Sequence, residues 1–322
     1  MSIVKRVLFS TFLLLALITL SSCNSTSTSL SRAEDAKHSE TTESVKTDSS
    51  DLIAYKGYIG VYPQFRLKID DRFDSFNTVI WQKGDCGFME PASRFVPDNV
   101  QVQGGIMKLI IDKEELPGGV CSQGREIGPK QYSAAEVRSK ERFLFGRFEA
   151  RIKTPHTNVA SGYIASLFTY VNDVPDPYSW REIDIEMEGV RPNKFQSNLI
   201  FGEDTWEWWR TRDWGAYEEK HVIGPTSDWR VYAIEWVPDA IRWYVDGALV
   251  RELTQQRLEN KSTWTDRQKH VAKIPELAQQ IMMNFWIPNE DVADTFGGSW
   301  ERNVYPMITQ YDWFRYYEYI GN

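Results

Sequence analysis

The feature that most constrains this chain is a run in which acidic and apolar residues alternate without a break. From Glu182 to Glu188 every second residue is a carboxylate, and Ile183, Ile185 and Met187 fill the positions between them. Successive side chains of a β-strand point to opposite faces, whereas on a helix Asp184 would point away from its acidic neighbours. The pattern therefore predicts a strand with Glu182, Asp184, Glu186 and Glu188 on one face and apolar residues on the other.

Strand signals dominate the rest of the chain as well. Two β-prone runs flank Asp246-Gly247, a pair that suits a two-residue hairpin turn. Helical signal is confined to residues 266–280, where Pro275 interrupts it. We therefore expect an all-β sandwich of two antiparallel sheets. Its predicted strands include residues 147–153, 229–237, 241–245, 248–250 and 310–319.

The N-terminus predicts an exported protein. Lys5 and Arg6 precede an apolar run, residues 7–20, which has the layout of a secretory leader and is short for a membrane span. The run ends in Leu20-Ser21-Ser22-Cys23, which resembles a bacterial lipobox; plain secretory cleavage nearby is the alternative. Lipidation of Cys23 would anchor the protein to a membrane without spanning it, so we expect a cell-envelope lipoprotein at the outer membrane or cell surface.

Composition divides the remaining chain into a tether and one domain. Residues 23–54 are rich in Ser and Thr and form the predicted tether after a signal peptide of residues 1–22, while residues 55–322 are aromatic-rich and read as one domain. In an oxidising compartment Cys86 and Cys121 are expected to form a disulfide, the alternative being two buried thiols. A formal charge of −8 without a basic run makes nucleic acid an unfavourable partner.

The acidic strand also predicts chemistry. Glu182 and Glu186 are about 13 Å apart at their Cα atoms on a strand, and side chains that lean inward bring the carboxyls to about 5 Å, the separation of a retaining glycosidase. A solvated acidic face or a calcium site are the alternatives. Trp residues surround the strand in sequence, and broad rings suit sugar faces as well as a core. They are Trp180, Trp206, Trp208, Trp209 and Trp214.

Several motifs, in order along the chain, resemble those of glycoside hydrolase family 16. They are Phe145–Lys153, Ser166–Tyr170, Glu182–Glu186, Trp243–Gly247, Ile281–Trp286 and Tyr311–Trp313. Within that family the chain is most similar to bacterial lichenases, which are endo-β-1,3-1,4-glucanases with a β-jelly-roll fold and a concave substrate cleft. The resemblance extends from about residue 73 to residue 317 and implies a polysaccharide as the partner of a monomeric enzyme.

The resemblance implies a role for each residue that matches a family motif. Glu182 matches the nucleophile, Glu186 the acid/base and Asp184 the residue that assists both. No cofactor is required for this reaction, but many members bind a structural Ca²⁺, whose ligands match the backbone carbonyls of Arg72 and Gly105 and the side chain of Asp312. Positions that resemble the family's sugar-binding cleft, each with a structural role as the alternative, are Trp180, Glu136, Arg138, Phe168, Tyr170, Gln196, Asn198, Asn284 and Trp286.

Departures from the family pattern concern the substrate. The acidic strand lacks the extra residue found in many laminarinases, so the resemblance favours glucans that contain β-1,4 linkages. The loop of residues 84–91, Ile200 and the Trp-rich residues 203–217 differ from lichenases, and Glu188 adds a charge without an assigned role. The alternatives are a transglycosylase, a depolymerase of the cell's own exopolysaccharide and a carbohydrate-binding matrix protein without catalysis.

Overall fold

The computed structural model describes residues 52–87, 92–122, 124–172, 180–202 and 215–321. The predicted leader, Cys23 and nearly all of the predicted tether lie outside these residues, as do Trp206, Trp208, Trp209 and Trp214. Within the described ranges, no helix has both the length and the apolar character that a membrane crossing needs.

Strands make up most of the described chain, and the prediction of an all-β fold is confirmed. Three short helices, α1 (Gln255–Glu259), α2 (Asp266–Val271) and α3 (Glu290–Ala293), and a 3₁₀ turn at Pro97–Asn99 complete it. The strands are β1 (Phe65–Asp71), β2 (Trp81–Lys83), β3 (Ser93–Phe95), β4 (Val100–Gln103), β5 (Ile106–Leu116), β6 (Gly119–Val120), β7 (Glu126–Ile127), β8 (Lys130–Phe143), β9 (Gly146–Lys153), β10 (Ile164–Val171), β11 (Trp180–Glu188), β12 (Lys194–Gly202), β13 (Gly215–Ala216), β14 (Glu219–Val222), β15 (Arg230–Val237), β16 (Ala240–Val245), β17 (Ala248–Thr254), β18 (Gln279–Trp286) and β19 (Met307–Tyr319).

Two antiparallel sheets form the sandwich. Sheet 1 has the order β14-β12-β11-β10-β18-β8-β2, with β13 also paired to β12. Sheet 2 has the order β17-β16-β15-β9-β19, and the far edge of β19 pairs with β1 and with β5, which in turn pairs with β4. The long strands β5 and β8 pair with each other and link the two sheets. The acidic strand β11 therefore lies near the middle of sheet 1.

The core between the sheets holds β11 in place. Ile183, Ile185 and Met187 are fully buried in it, as the alternating pattern predicts. Two side chains of sheet 2 also reach across the core to the backbone of sheet 1. The indole N–H of Trp243 donates to the carbonyl of Asp184 at 2.9 Å, and the hydroxyl of Tyr311 donates to the carbonyl of Ser166 at 2.8 Å.

The hairpin and helix predictions can be compared directly with the structure. Asp246 and Gly247 have φ angles of 48° and 78°, as a tight turn between β16 and β17 with two positive φ values requires. The helical signal that begins at Asp266 ends at Val271, before Pro275, and strand β18 begins at Gln279. Helices α1 and α3 were not predicted, because each is only about one turn long.

Candidate active site

Strand register places the predicted site residues in rows across sheet 1. Residues that pair directly on neighbouring antiparallel strands share a face of the sheet. The row through Glu186 contains Gln196, Ser166, Asn284 and Glu136; the row through Asp184 contains Asn198, Phe168, Met282 and Arg138; the row through Glu182 contains Ile200, Tyr170 and Gln280. The face of sheet 1 that carries the acidic residues is thus mostly polar across five strands, with Phe168, Met282 and Ile200 as its apolar members.

Three of the four acidic residues of β11 line one small cavity on this face. Its walls also include Ser166, Phe168, Asn284 and Trp286. The indole N–H of Trp180 donates to Oε2 of Glu182 at 2.8 Å, and the amide of Gln196 donates to Oε2 of Glu186, also at 2.8 Å. Each outer carboxylate therefore has a neutral hydrogen-bond donor that orients it.

Burial dominates the protonation of the inner carboxyls. It raises the pKa of Glu186 to about 8, aided by the negative charges of Glu182, Glu188 and Glu218 and opposed by the hydrogen bond from Gln196. Burial, with the charges of Glu182 and Glu186, also raises the pKa of Asp184 well above its ordinary value. In the described part of the chain no cation forms an ion pair with Glu186 or Asp184. The raised pKa favours the protonated form of Glu186, which is the form that a general acid requires.

The predicted sugar-binding residues all belong to strands of sheet 1. Glu136 and Arg138 form an ion pair, and Ser166 donates to Oδ1 of Asn284. Oε1 of Gln196 and Oδ1 of Asn198 are buried and accept no hydrogen bond from the described residues. Buried acceptors of this kind suit the hydroxyl groups of a sugar. Phe168 is buried at the site, while Trp180, Tyr170 and Trp286 are half-buried.

A larger cavity of about 440 Å³ continues the site toward β8. The sequence analysis missed several of its residues. Gln280 and Met282 follow from the alternation that leads back from Asn284 along β18, so this signal was available. Arg125 offers no such signal, because its position depends on the loop closed by the disulfide. The Cys86–Cys121 disulfide is present, which confirms the predicted pairing, and Cys86 lines the cavity.

The departures from the family pattern are only partly described. Ile200 pairs with Glu182 across β11 and β12, beside the acidic cavity. Residues 88–91 and 203–214 lie outside the described ranges.

Glu188, which had no assigned role, contributes to the fold. Its side chain is 2% exposed and does not line the acidic cavity. It forms an ion pair with Arg191, lies 3.9 Å from Nζ of Lys220 and accepts a hydrogen bond from the backbone N–H of Gly297 at 3.1 Å. Glu188 therefore ties the end of β11 to the segment that follows α3.

The predicted calcium ligands lie close together but fit a cation poorly. The carbonyl oxygen of Arg72 is 3.8 Å from the point where a Cβ of Gly105 would lie, and Asp312 occupies a bulge of β19 opposite this region. However, Oδ2 of Asp312 accepts a hydrogen bond from Nη1 of Arg151 at 2.5 Å. This guanidinium already neutralises the carboxylate of the set and would repel a metal ion.

Comparisons with known proteins agree with this site. The chain matches the sequence model of Glycosyl hydrolases family 16 over residues 92–312. A β-glucanase of Fibrobacter succinogenes is 30% identical over 200 residues, which are 60% of this chain and 49% of the relative, so the chain spans about half of that protein. A β-glucanase of Bacillus subtilis is 29% identical over 252 residues, which are 76% of this chain and 84% of the relative.

Solved structures show the same fold. A prokaryotic β-1,3-1,4-glucanase (lichenase) derived from a mouse hindgut metagenome has a TM-score of 0.59 at 25% identity, over 78% of this chain and 99% of that one. A β-glucanase of Bacillus licheniformis has a TM-score of 0.56 at 25% identity, over 78% and 97% of the two chains. Because the family match covers most of the folded domain and includes the acidic strand, this chain belongs to Glycosyl hydrolases family 16 and is a glycoside hydrolase.

Proposed function

We propose that the protein is a retaining endo-β-glucanase that hydrolyses a β-1,4-containing polysaccharide such as mixed-linkage β-1,3-1,4-glucan. The observation that carries this proposal is the joint placement of Glu182, Asp184 and Glu186 in one cavity, with the pKa of Glu186 raised by burial. The β-glucanases of Fibrobacter succinogenes and Bacillus subtilis, and the structural similarity to a lichenase, support the substrate class.

In the first step Glu186 acts as the acid and Glu182 as the nucleophile. Glu182 attacks the anomeric carbon while Glu186 gives its proton to the glycosidic oxygen, so the bond to the leaving sugar breaks and a glycosyl ester of Glu182 forms. The hydrogen bond from Trp180 to Oε2 of Glu182 limits rotation of the carboxylate. The Trp180 indole therefore holds the nucleophile in one orientation before attack.

In the second step Glu186 acts as a base. Once Glu182 is an ester it carries no charge, so one of the negative charges that raise the pKa of Glu186 disappears. Glu186 is then more easily ionised and takes a proton from a water molecule, which attacks the anomeric carbon and restores Glu182. Asp184 is buried between Glu182 and Glu186, and its own pKa is raised. Before substrate binds, the three carboxyls therefore favour states in which some of them are protonated.

We also propose that the protein is exported and anchored by a lipid on Cys23, with residues 23–54 as a tether and residues 55–322 as the catalytic domain. The Cys86–Cys121 disulfide supports an oxidising compartment outside the cytoplasm.

One chain supplies all three carboxylates and both cavities, which supports a monomeric enzyme. Metabolic labelling with a fatty acid, with Cys23→Ala as the control, tests the anchor: labelling that persists in the variant contradicts it.

The activity is tested by measuring new reducing ends from mixed-linkage glucan, xyloglucan and laminarin. We expect release from the β-1,4-containing glucans as oligosaccharides of several lengths, and no release with Glu182→Gln. Activity retained by that variant would overturn the assignment of the nucleophile. A folded wild-type protein that binds glucan but releases no reducing ends would instead indicate a binding protein, and longer products in the presence of added acceptor sugar would indicate transglycosylation.

Azide separates the roles of the two glutamates. With an activated aryl β-glycoside, Glu182→Ala plus azide is expected to give the α-glycosyl azide, because azide enters from the side that the nucleophile has left. Glu186→Ala is expected to give the β-glycosyl azide, because azide then displaces Glu182 from its ester. The opposite pairing of variants and products would exchange the two roles.

A further inference from the structure

The cavity beside β8 differs in charge from the acidic cavity. Its lining includes two guanidinium groups, from Arg125 and Arg138, and a single carboxylate, from Glu136. Tyr170, Asn172 and Gln280 add polar groups to the same walls. The site therefore continues from an acidic centre into an end with an excess of positive charge.

Arg125 supplies that excess. Arg138 is already ion-paired with Glu136, whose side chain is 1% exposed. Arg125 is exposed, and its Nη1 donates to the backbone carbonyl of Gly87 at 2.9 Å. In the described ranges no carboxylate comes within ion-pair distance of Arg125, so its charge is balanced only at longer range. A guanidinium has five N–H donors, and its planar fork matches a carboxylate.

The loop that carries Arg125 is fixed to the cavity. The disulfide joins Cys121 to Cys86, and the backbone N–H of Cys121 donates to the carbonyl of Arg125 at 3.0 Å. Asp85 accepts hydrogen bonds from the backbone N–H of Ser122 at 3.0 Å and from its hydroxyl at 2.6 Å. These contacts fix the backbone at Arg125 before any ligand binds, which lowers the entropic cost of ordering this loop on binding.

The distance between the two cavities matters for a charged ligand. Arg138 pairs with Met282, Met282 with Phe168 and Phe168 with Asp184, so three strand spacings, about 14 Å, separate Arg138 from the acidic centre. A negative charge next to Glu182, Asp184 and Glu186 would be repelled. A negative charge at the far end of the site would meet Arg125 instead. The distance of about 14 Å exceeds the Debye length at physiological salt, so dissolved ions weaken the repulsion from the acidic centre.

We infer that the Arg125 end of the site binds a sugar unit that carries a carboxylate, such as a uronic acid within a β-1,4-containing polysaccharide. This inference rests on the proposed function and narrows its substrate class. Cleavage still takes place at a neutral sugar in the acidic cavity, while Arg125 selects chains with an acidic unit several positions away. Arg125 is thus a specificity residue that the family resemblance does not assign.

Binding to the inactive Glu182→Gln protein tests the inference. The probes are cellotetraose and its two isomers in which either the non-reducing or the reducing terminal unit carries a C6 carboxylate. We expect one acidic isomer to bind about tenfold more tightly than cellotetraose, as charge-assisted hydrogen bonds allow. This preference should shrink between about 0.1 and 1 M NaCl, because the Debye length falls from about 10 Å to 3 Å.

Variants of Arg125 in the same background identify the residue responsible. Arg125→Gln is expected to abolish the preference, weakening binding of the favoured acidic isomer more than binding of cellotetraose, whereas Arg125→Lys should keep part of the preference. Arg66→Gln is the matched control, because Arg66 is an exposed arginine on β1 in sheet 2. The inference is overturned if neither acidic isomer binds better than cellotetraose, or if Arg125→Gln weakens all three probes equally.

Failure of the inference differs from failure of the proposed function. Hydrolysis of neutral glucan without any Arg125-dependent preference removes the inference and leaves the function in place. An Arg125-dependent preference in a protein that hydrolyses none of the glucans removes the function and leaves the carboxylate site.

Discussion

Two sets of buried carboxylates, one in each sheet, differ in their partners: Glu149 of sheet 2 is paired with a cation, whereas Asp184 and Glu186 of sheet 1 form no ion pair with the described residues. On sheet 2, Glu149 is fully buried and accepts hydrogen bonds from Nε of Arg147 at 2.8 Å, from the hydroxyl of Tyr58 at 2.8 Å and from the hydroxyl of Tyr62. On sheet 1, Asp184 and Glu186 are buried among further acidic groups, and Glu186 has a neutral amide as its hydrogen-bond partner. Buried carboxylates on strands β9 and β11 therefore have different electrostatic environments.

The difference shows what separates a structural carboxylate from a reactive one. Arg147 also lies over the rings of Tyr62 and Tyr244, at 4.2 Å and 4.5 Å from their centroids, so both charges of its pair with Glu149 are enclosed and satisfied. Removing the cation of such a pair would leave an uncompensated charge in the interior, so the pair is part of the fold. Asp184 and Glu186 have no paired cation among the described residues, and burial raises the pKa of both, so a proton held there can be transferred to a substrate.

The largest expected effect tests this contrast through catalysis. Glu186→Gln should lower kcat on mixed-linkage glucan by roughly 10²–10⁴-fold, the usual contribution of a general acid. Glu149→Gln, the matched change on sheet 2, should leave kcat of the folded protein within a few-fold. Initial rates and thermal melting of both variants provide the comparison. An equal loss of kcat in the Glu149 variant would break the distinction between the two sheets.

Stability should show the opposite ranking. Arg147→Met leaves the charge of Glu149 buried without its cation, so we expect the free energy of unfolding to fall by about 3–5 kcal/mol. Urea denaturation measures this change. The double variant with Glu149→Gln should recover part of the loss, while Glu186→Gln alone should not destabilise the protein. A Glu186→Gln protein as unstable as Arg147→Met would contradict the proposal that Glu186 has no balancing cation.

Glu188 lies on β11 but, like Glu149 on sheet 2, has a cationic partner. Its replacement should therefore affect stability more than catalysis. Glu188→Gln weakens its ion pair with Arg191 and its hydrogen bond with Gly297, so we expect a loss of about 1–3 kcal/mol in the free energy of unfolding. Glu318→Gln breaks an exposed ion pair with Arg66 and should cost under about 1 kcal/mol. Reducing-sugar assays should show near wild-type kcat for both, and a catalytic loss at Glu188 would return it to the active site.

The contrast between the sheets also predicts a dependence of stability on pH. Because the pKa of Glu186 is higher in the folded state, near 8, than its ordinary value, the folded protein binds more protons between these values. Stability should therefore fall as pH rises from about 4.5 to 8, by at most about 1.4 kcal/mol per pH unit. Urea denaturation at several pH values should give a shallower slope for Glu186→Gln than for wild type. Equal slopes would mean that burial does not hold the proton.

We expect the same proton to set the alkaline limit of activity. Glu186 must be protonated to act as the acid, so kcat/KM should fall as pH rises through about 8. Asp184 and Glu186 affect each other's protonation, so Asp184→Asn should shift the pH at which kcat/KM falls. A profile unchanged in that variant would argue that Asp184 does not tune the acid.

Local patterns predicted much of the fold and the acidic centre. Alternation alone indicates that Ile183 and Ile185 enter the core while Glu182 and Glu186 share the other face, because the period of a strand is two wherever the strand lies. The turn at Asp246-Gly247 is equally local. The family resemblance added residues on neighbouring strands, such as Asn284, which alternation on β11 does not indicate.

What could not be predicted depends on contacts between distant segments. Glu188 continues the acidic pattern, yet it becomes structural because Gly297 and Arg191 reach it in the fold. Asp312 matches a calcium ligand, but its carboxylate forms an ion pair with Arg151 on the paired strand β9. Arg125 becomes part of the site only through a disulfide that closes its loop. In each case the partner, and not the residue itself, decides the role.

The hydrogen bonds from Trp243 and Tyr311 to the backbone of sheet 1 have a mechanical consequence. They attach β11 and β10, from behind, to the opposite layer of the sandwich at the positions that carry Asp184 and Ser166. Strands β10 and β11, held by these hydrogen bonds, should move little when a polysaccharide binds to sheet 1. We therefore expect the bending needed to reach the reactive geometry to occur in the sugar chain, so that flexible linkages of the polymer are the ones presented for cleavage.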